Sequence, residues 1–311
     1  MALGKMALPP LYKYLDIAGA KLTLQTGTFR HGEPSNFNDL EELTIRSIFP
    51  QDEEVVLTEM KNVFVDILVE NIDRPPTCVN PQMKAKIALM QGALKKNRNA
   101  ANILREAIDK EPLSSFFNVD HMKERNRSFI RELNEFMQGH RIICVSKRND
   151  SEAMWRRYAQ NHHGIVLRIL PNESKDSKYL LFREVSYGAA RPSLYESGLR
   201  FLQDSLFGDQ KERLKALMDK IIYTKTLKWK GEEEYRLAIP IFDRDNWTTL
   251  PYHPEEITEM YFGHESTEEE KNELIKLAVA MNPGISIFQA FLDSNKKMSF
   301  RAARWAADPR G

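Results

Sequence analysis

The stretch Tyr223-Thr-Lys225-Thr-Leu-Lys-Trp229-Lys-Gly-Glu232-Glu-Glu234-Tyr-Arg236-Leu-Ala-Ile-Pro-Ile241 reads as a polar loop entering a β-strand. Strand side chains alternate faces, so Glu232, Glu234 and Arg236 are expected on one face. Tyr235, Leu237, Ile239 and Ile241 are expected on the other, toward the core. Two carboxylates and a guanidinium are costly to bury without partners or a task, which points to a site. Lys225 and Trp229 precede them where a loop can lean over the same cleft. An edge strand with a solvated charged face accounts for the same alternation.

Outward from this stretch the chain changes character several times. Residues 11–14 and 21–29 carry β-formers and read as strands, followed by a turn-rich loop over 30–39. From about Leu40 to Gln138 apolar residues recur at three- and four-residue spacing, with Pro75-Pro76 as a break. A helix is expected over 122–137. Beyond Gly139, residues 141–146, 164–170 and 179–187 read as strands and 151–160 as a helix. Residues 192–224 read as helical with an interruption near Gly208. A strand is expected at 257–262, a helix from the capping box Thr267-Glu-Glu-Glu270 to about Met281, and closing strands at 285–292 and 297–301. The residues after Trp305 read as a loose tail. The order predicts an α+β fold: one domain over residues 1–311, with a mixed, largely antiparallel sheet and a helical insertion at about 40–138.

The 311 residues, 42% hydrophobic and 29% charged, suit a water-exposed surface over a sizeable core. A net charge of +1 argues neither for nor against nucleic acid. Cys78 and Cys144 make no disulfide framework, and Cys144 sits in the apolar run 141–146, where a core role is expected. No run approaches a membrane span of about 20 apolar residues and the N-terminus lacks a signal-peptide pattern, so a cytoplasmic protein without membrane contact is expected.

Other groupings carry weaker signals. Ser35-Asn-Phe37-Asn38-Asp39-Leu-Glu-Glu42 suits an Asx turn and helix cap, or a loop that bonds a sugar or phosphate. Met154, Trp155 and Tyr158 have core-like helical spacing. The adjacent His162 and His163 lack the spacing of metal ligands, and no metal is expected. Basic residues form stripes: Lys84, Lys86, Lys95, Lys96 and Arg98; Lys123, Arg125, Arg127 and Arg131; Lys296, Lys297, Arg301 and Arg304. Such stripes are solvated faces or tracks for phosphates. There is no Walker A loop, Rossmann glycine fingerprint or nucleophile elbow.

Taken in order, Leu11-Tyr12-Lys13-Tyr14, Phe37-Asn38-Asp39 with Glu42, Met154-Trp155-x-x-Tyr158-Ala159 with Gly164, Lys225-x-x-x-Trp229-x-x-Glu232-x-Glu234-x-Arg236 and Ile257–Gly263 resemble the bacterial family known as domain of unknown function 2971. Leu40 and Glu41 stand where many members have Pro and Phe, and Lys13 where many have His. In motif arrangement that family is similar to ADP-ribosyltransferases, and related members resemble toxins of phage-defence and toxin–antitoxin systems. The resemblance implies an ADP-ribosyltransferase-like core, NAD as co-substrate and a macromolecular acceptor, RNA in preference to protein. It also implies a controlling antitoxin.

By the same resemblance Glu234 is the essential carboxylate beside the ribose and Glu232 faces the acceptor. Tyr12, Lys13, Tyr14, Asn38, Asp39, Trp155, Tyr158, Lys225, Trp229 and Arg236 fall on the cofactor side. A carboxylate preorganised beside an oxocarbenium-like transition state is the chemistry such a pair suits. Two rival readings stay open: a non-catalytic binding module, in which the carboxylates are tied up in ion pairs, and a metal-dependent nuclease.

Overall fold

A computed structural model describes residues 8–37, 39, 42–97, 99–189, 193–241, 247–295 and 297–303. In chain order the elements begin with β1 (Leu11–Leu15), α1 (Ile17–Thr26) and β2 (Thr28–Arg30). Four helices follow: α2 (Glu53–Glu70), α3 (Pro81–Lys96), α4 (Ala100–Lys110) and α5 (Val119–Gln138). Next come β3 (His140–Ser146), α6 (Glu152–Tyr158), β4 (Ile165–Ile169), β5 (Arg183–Glu184), β6 (Ser186–Gly188), α7 (Gly198–Phe207) and α8 (Gln210–Ile222). The chain closes with β7 (Thr224–Thr226), β8 (Glu234–Pro240), β9 (Thr249–Pro251), β10 (Ile257–Phe262), α9 (Glu268–Met281), β11 (Ser286–Leu292) and β12 (Met298–Ala302). Among the described residues no helix is long and apolar enough to cross a membrane.

The described residues fall into two compact units. The first is drawn from Met1–Glu42, Gln138–Ala189 and Lys225–Gly311, the second from Leu43–Met137 and Ala190–Thr224. The first is a mixed α+β unit built on one sheet in the order β12-β11-β10-β4-β1-β3-β8-β5. Every neighbouring pair is antiparallel except β10 with β11. β4, Ile165-Val-Leu-Arg-Ile169, lies between two partners, and its apolar run is buried apart from Arg168, as a strand covered on both faces requires. One face packs Leu11, Val145, Leu167 and Leu237 under α1 and α9; the other packs Tyr14, Val166 and Tyr261 under Met154 and Trp155 of α6.

The strand expected over residues 21–29 is a helix for most of its length. Asp16 caps α1 by accepting from the Gly19 N–H at 2.6 Å, and Gly27 ends it at φ 65°. Ile17, Ala20 and Leu24 form its buried stripe. Ile17 and Leu24 each contribute about 1.5–3 kcal/mol, which outweighs the β preference of the intervening residues. Residues 179–187 are also not one strand: a 3-10 turn, Lys178–Leu181, precedes β5 and β6. The strands at 141–146 and 257–262 and the boxed helix α9 form as expected. Arg98, Lys296, Arg304 and the tail after Trp305 lie outside the described residues.

The second unit is helical. Glu59 of α2 accepts from the Gly198 N–H at 2.9 Å at the start of α7. Thr77 donates its N–H to Leu206 O at 2.7 Å. Asn134 of α5 exchanges two hydrogen bonds with the Ile45 backbone.

Candidate functional site

A cavity of about 720 Å³ opens in the first unit where β1 and β3 part. β1 follows β4 along its whole length, from Leu11↔Ile169 to Leu15↔Ile165, but meets β3 at Tyr12↔Ser146. Lys13 fills the divergence, its Nζ donating to Cys144 O at 3.0 Å. Tyr12, Lys13 and Tyr14 line one side of the cavity; Ile142, Cys144 and Val145 line the other.

At one end of this cavity stands a buried ion cluster. The Lys225 Nζ donates to Glu234 Oε2 at 2.7 Å and Glu232 Oε2 at 2.8 Å, with Glu42 Oε1 at 3.5 Å. Arg236 donates from Nε to Glu234 Oε1 at 2.5 Å and from Nη2 to Glu234 Oε2 at 3.1 Å. Its Nη2 also pairs with Glu42. All five residues are buried. Three carboxylates against two cations leave one negative charge, and the Lys13 ammonium feels it through Glu234.

Burial governs how these groups titrate. It raises the Glu234 carboxyl against the pull of Lys225. It lowers the Lys13 amine and brings the Arg236 guanidinium down to about 9. For Lys225 burial also works downward, but Glu234 and Glu232 together outweigh it and hold the ammonium above its usual value. The Cys144 thiol is pushed well up by burial and by Glu234. At neutral pH both Lys225 and Arg236 therefore stay charged against the carboxylates.

The expected face of Glu232, Glu234 and Arg236 is corrected in one respect. Glu232 is not on the strand: it ends a 3-10 turn, Leu227–Glu232, and Glu233 at φ 43° turns the chain into β8. A left-handed residue between them, not strand alternation, brings the two carboxylates onto Lys225. Tyr187 Oη, raised by burial, accepts the Glu234 N–H at 2.8 Å, and Ser146 Oγ donates to Glu232 O at 2.7 Å. β8 is flanked by β3 on one side and by β5 at Tyr235 and Arg236 on the other, so these charges do not sit on a bare edge.

At the rim, Tyr158 Oη donates to Glu232 Oε1 at 2.9 Å, and the half-exposed Arg157 approaches the same oxygen at 3.3 Å. Trp229 donates its indole N–H to Asp39 Oδ2 at 3.0 Å. Three cations surround its ring, with Arg157 at 4.7 Å, Lys225 at 4.9 Å and Lys228 at 5.3 Å from the centroid.

Of the residues singled out from sequence, Tyr12, Lys13, Tyr14, Asp39, Tyr158, Lys225, Trp229, Glu232 and Glu234 line this one cavity. Arg236 lies behind Glu234 as its counter-ion. Trp155 is fully buried, edge-on to Tyr14 at 5.6 Å, with its N–H given to Asn149 O; it supports the wall instead of forming it. Asn38 lies outside the described residues. Sequence reasoning missed Arg157 and Tyr187, gave Cys144 a core role, and placed Glu42 in the Asn/Asp loop without joining it to the carboxylate pair. Glu42 alone carried a signal, as an acidic residue closing the Asn/Asp loop.

Residues 154–237, from α6 into β8, match the model of a family described as a protein of unknown function (DUF2971). The chain is similar to that family over this stretch, which carries Tyr158, Lys225, Trp229, Glu232, Glu234 and Arg236. No curated protein and no solved structure matches the chain.

Proposed function

We propose that the cavity between β1 and β3 binds NAD and that the chain transfers ADP-ribose to a macromolecule, RNA in preference to protein. The observation that carries the reading is the pair Glu232 and Glu234, held on one ammonium at the cavity wall, with the first-strand Lys13 on the same cavity. A first-strand cation followed by a later carboxylate pair is what the resemblance to ADP-ribosyltransferases implies. In the reaction the bond from ribose C1′ to the nicotinamide nitrogen breaks and its electron pair leaves with nicotinamide. Glu234, fixed by Lys225 and Arg236, stabilises the positive charge left at C1′. The acceptor nucleophile attacks C1′ and its proton passes to Glu232, the carboxylate nearer the rim. Lys225, on the cavity wall, is the partner for the diphosphate. A toxin of this kind takes a protein partner that restrains it.

The rival reading of a non-catalytic module is favoured by the same ion pairs, because Lys225 and Arg236 already satisfy both carboxylates. The cavity beside them favours the enzyme. The test is incubation with NAD labelled in the adenylate half and a panel of RNA, DNA and proteins. Label transfer with nicotinamide release supports the proposal. Their absence from folded protein defeats it, and magnesium-dependent RNA cleavage indifferent to NAD replaces it with a nuclease.

A further inference from the structure

A second cavity, of about 810 Å³, lies wholly within the helical unit. Its basic side chains are unusual in their partners. Arg74, beyond the end of α2, gives its guanidinium to Asn71 Oδ1 at 3.1 Å and to Phe207 O at 3.0 Å, both neutral. Arg213 of α8 donates to Ser205 Oγ at 3.3 Å and lies 6.0 Å from the centre of the Tyr195 ring. Lys220, two turns further along α8, reaches Leu194 O at 3.5 Å. Among the described residues none of these three has a carboxylate partner. Arg200, by contrast, is paired with Asp204 at 3.1 Å.

The wall adds a buried polar group. Tyr195 is 5% exposed, and its hydroxyl is buried beside the Arg213 side chain, whose charge and hydrogen bond work against the rise that burial gives it. A hydroxyl that accepts from a guanidinium still has its own proton to give to a bound oxygen. Four carboxylates also line the space. Asp204 is taken by Arg200, and Asp209 caps α8 by accepting from the Lys211 and Glu212 N–H groups. Glu196 and Glu212 have no ion-pair partner among the described residues. Cations without counter-ions suit an oxyanion, and free carboxylates suit hydroxyl groups, which they accept hydrogen bonds from.

We infer that this cavity is a binding site for a phosphorylated sugar, with Arg74, Arg213, Lys220 and the Tyr195 hydroxyl on the phosphate and Glu196 and Glu212 on the sugar hydroxyls. The site is separate from the cavity at Glu232 and does not depend on its chemistry. The experiment is calorimetric titration of the full chain with ribose 5-phosphate, inorganic phosphate and ribose, repeated on Arg213→Gln and Lys220→Gln. Saturable binding of ribose 5-phosphate is expected, weaker binding of phosphate and none of ribose. Each cavity substitution is expected to cost about tenfold in affinity, with melting temperature retained. Failure of ribose 5-phosphate to bind, equal binding of ribose, or equal binding of inorganic phosphate overturns the inference. So does affinity indifferent to both Arg213→Gln and Lys220→Gln.

Discussion

The Lys225 ammonium stands 2.7 Å from the Glu234 carboxylate in a space that both residues share with Arg236 and that solvent barely reaches. Glu234 accepts three of the hydrogen bonds that hold Lys225 and Arg236, and breaking such a buried charged network costs about 3–5 kcal/mol. Glu234→Ala is therefore expected to lower unfolding stability by that amount, as read by urea denaturation. Glu232→Gln is expected to cost less, about 1–3 kcal/mol, because Arg157 is half exposed and Tyr158 finds the amide oxygen as acceptor. A milder loss for Glu234→Ala than for Glu232→Gln contradicts the description of the cluster.

Lys225 also sets an alkaline limit. Its folded amine holds its proton more tightly than the unfolded one, whose value is 10.5. The folded state thus binds more protons above that pH, so the contribution is complete below 10.5 and is lost as pH rises beyond it. Urea midpoints should fall across that window in the native chain, and the fall should flatten in Lys225→Met. A slope unchanged by the substitution counts against the pairing.

His31 acts at the acid end. It is buried, donates from Nδ1 to Phe29 O at 3.1 Å and stacks against Tyr179. Burial lowers its folded value from 6.5 to about 4. The unfolded state binds more protons between those values, so stability is complete above 6.5 and falls as pH drops toward 4, by about 3 kcal/mol at most. His31→Gln should remove most of that acid dependence, whatever it does to stability at neutral pH. A native chain with constant stability across the window would overturn the assignment.

Gly263 is required by close approach. A Cβ there would lie 1.9 Å from His162 O, in a turn where Gln160, Asn161 and His162 are all left-handed. Backbone does not give way cheaply to such a contact, so Gly263→Ala should destabilise by about 3 kcal/mol or more. Thermal unfolding that shifts by only a degree or two would show that the turn relaxes.

Much of this site was legible in the chain because its charges are costly. Glu232, Glu234, Lys225 and Trp229 stand within ten residues, and a sequence has little use for such a run beside apolar Leu237 and Ile239 unless something holds it. The helix α1 was misread because residues 21–29 alternate like a strand; the deciding signals were Asp16 before the helix and Gly27 after it. The placement of Glu232 escaped because a single left-handed Glu233 mimics a pleat. Arg157 and Tyr187 carry no local signal at all. The pairing of β6 with β7 brings Tyr187 to the carboxylates and α6 brings Arg157, and contacts over that distance leave no mark on neighbouring residues. The parting of β1 from β3, which makes the cavity, is likewise a property of register.

The most direct test of the central claim is nicotinamide release from NAD by the purified chain with RNA present, compared with Glu232→Gln and Glu234→Gln chains verified as folded. The account predicts release with transfer of label to RNA, reduced about 100-fold or more in each variant. No release by the native chain, or equal release by all three, would contradict it.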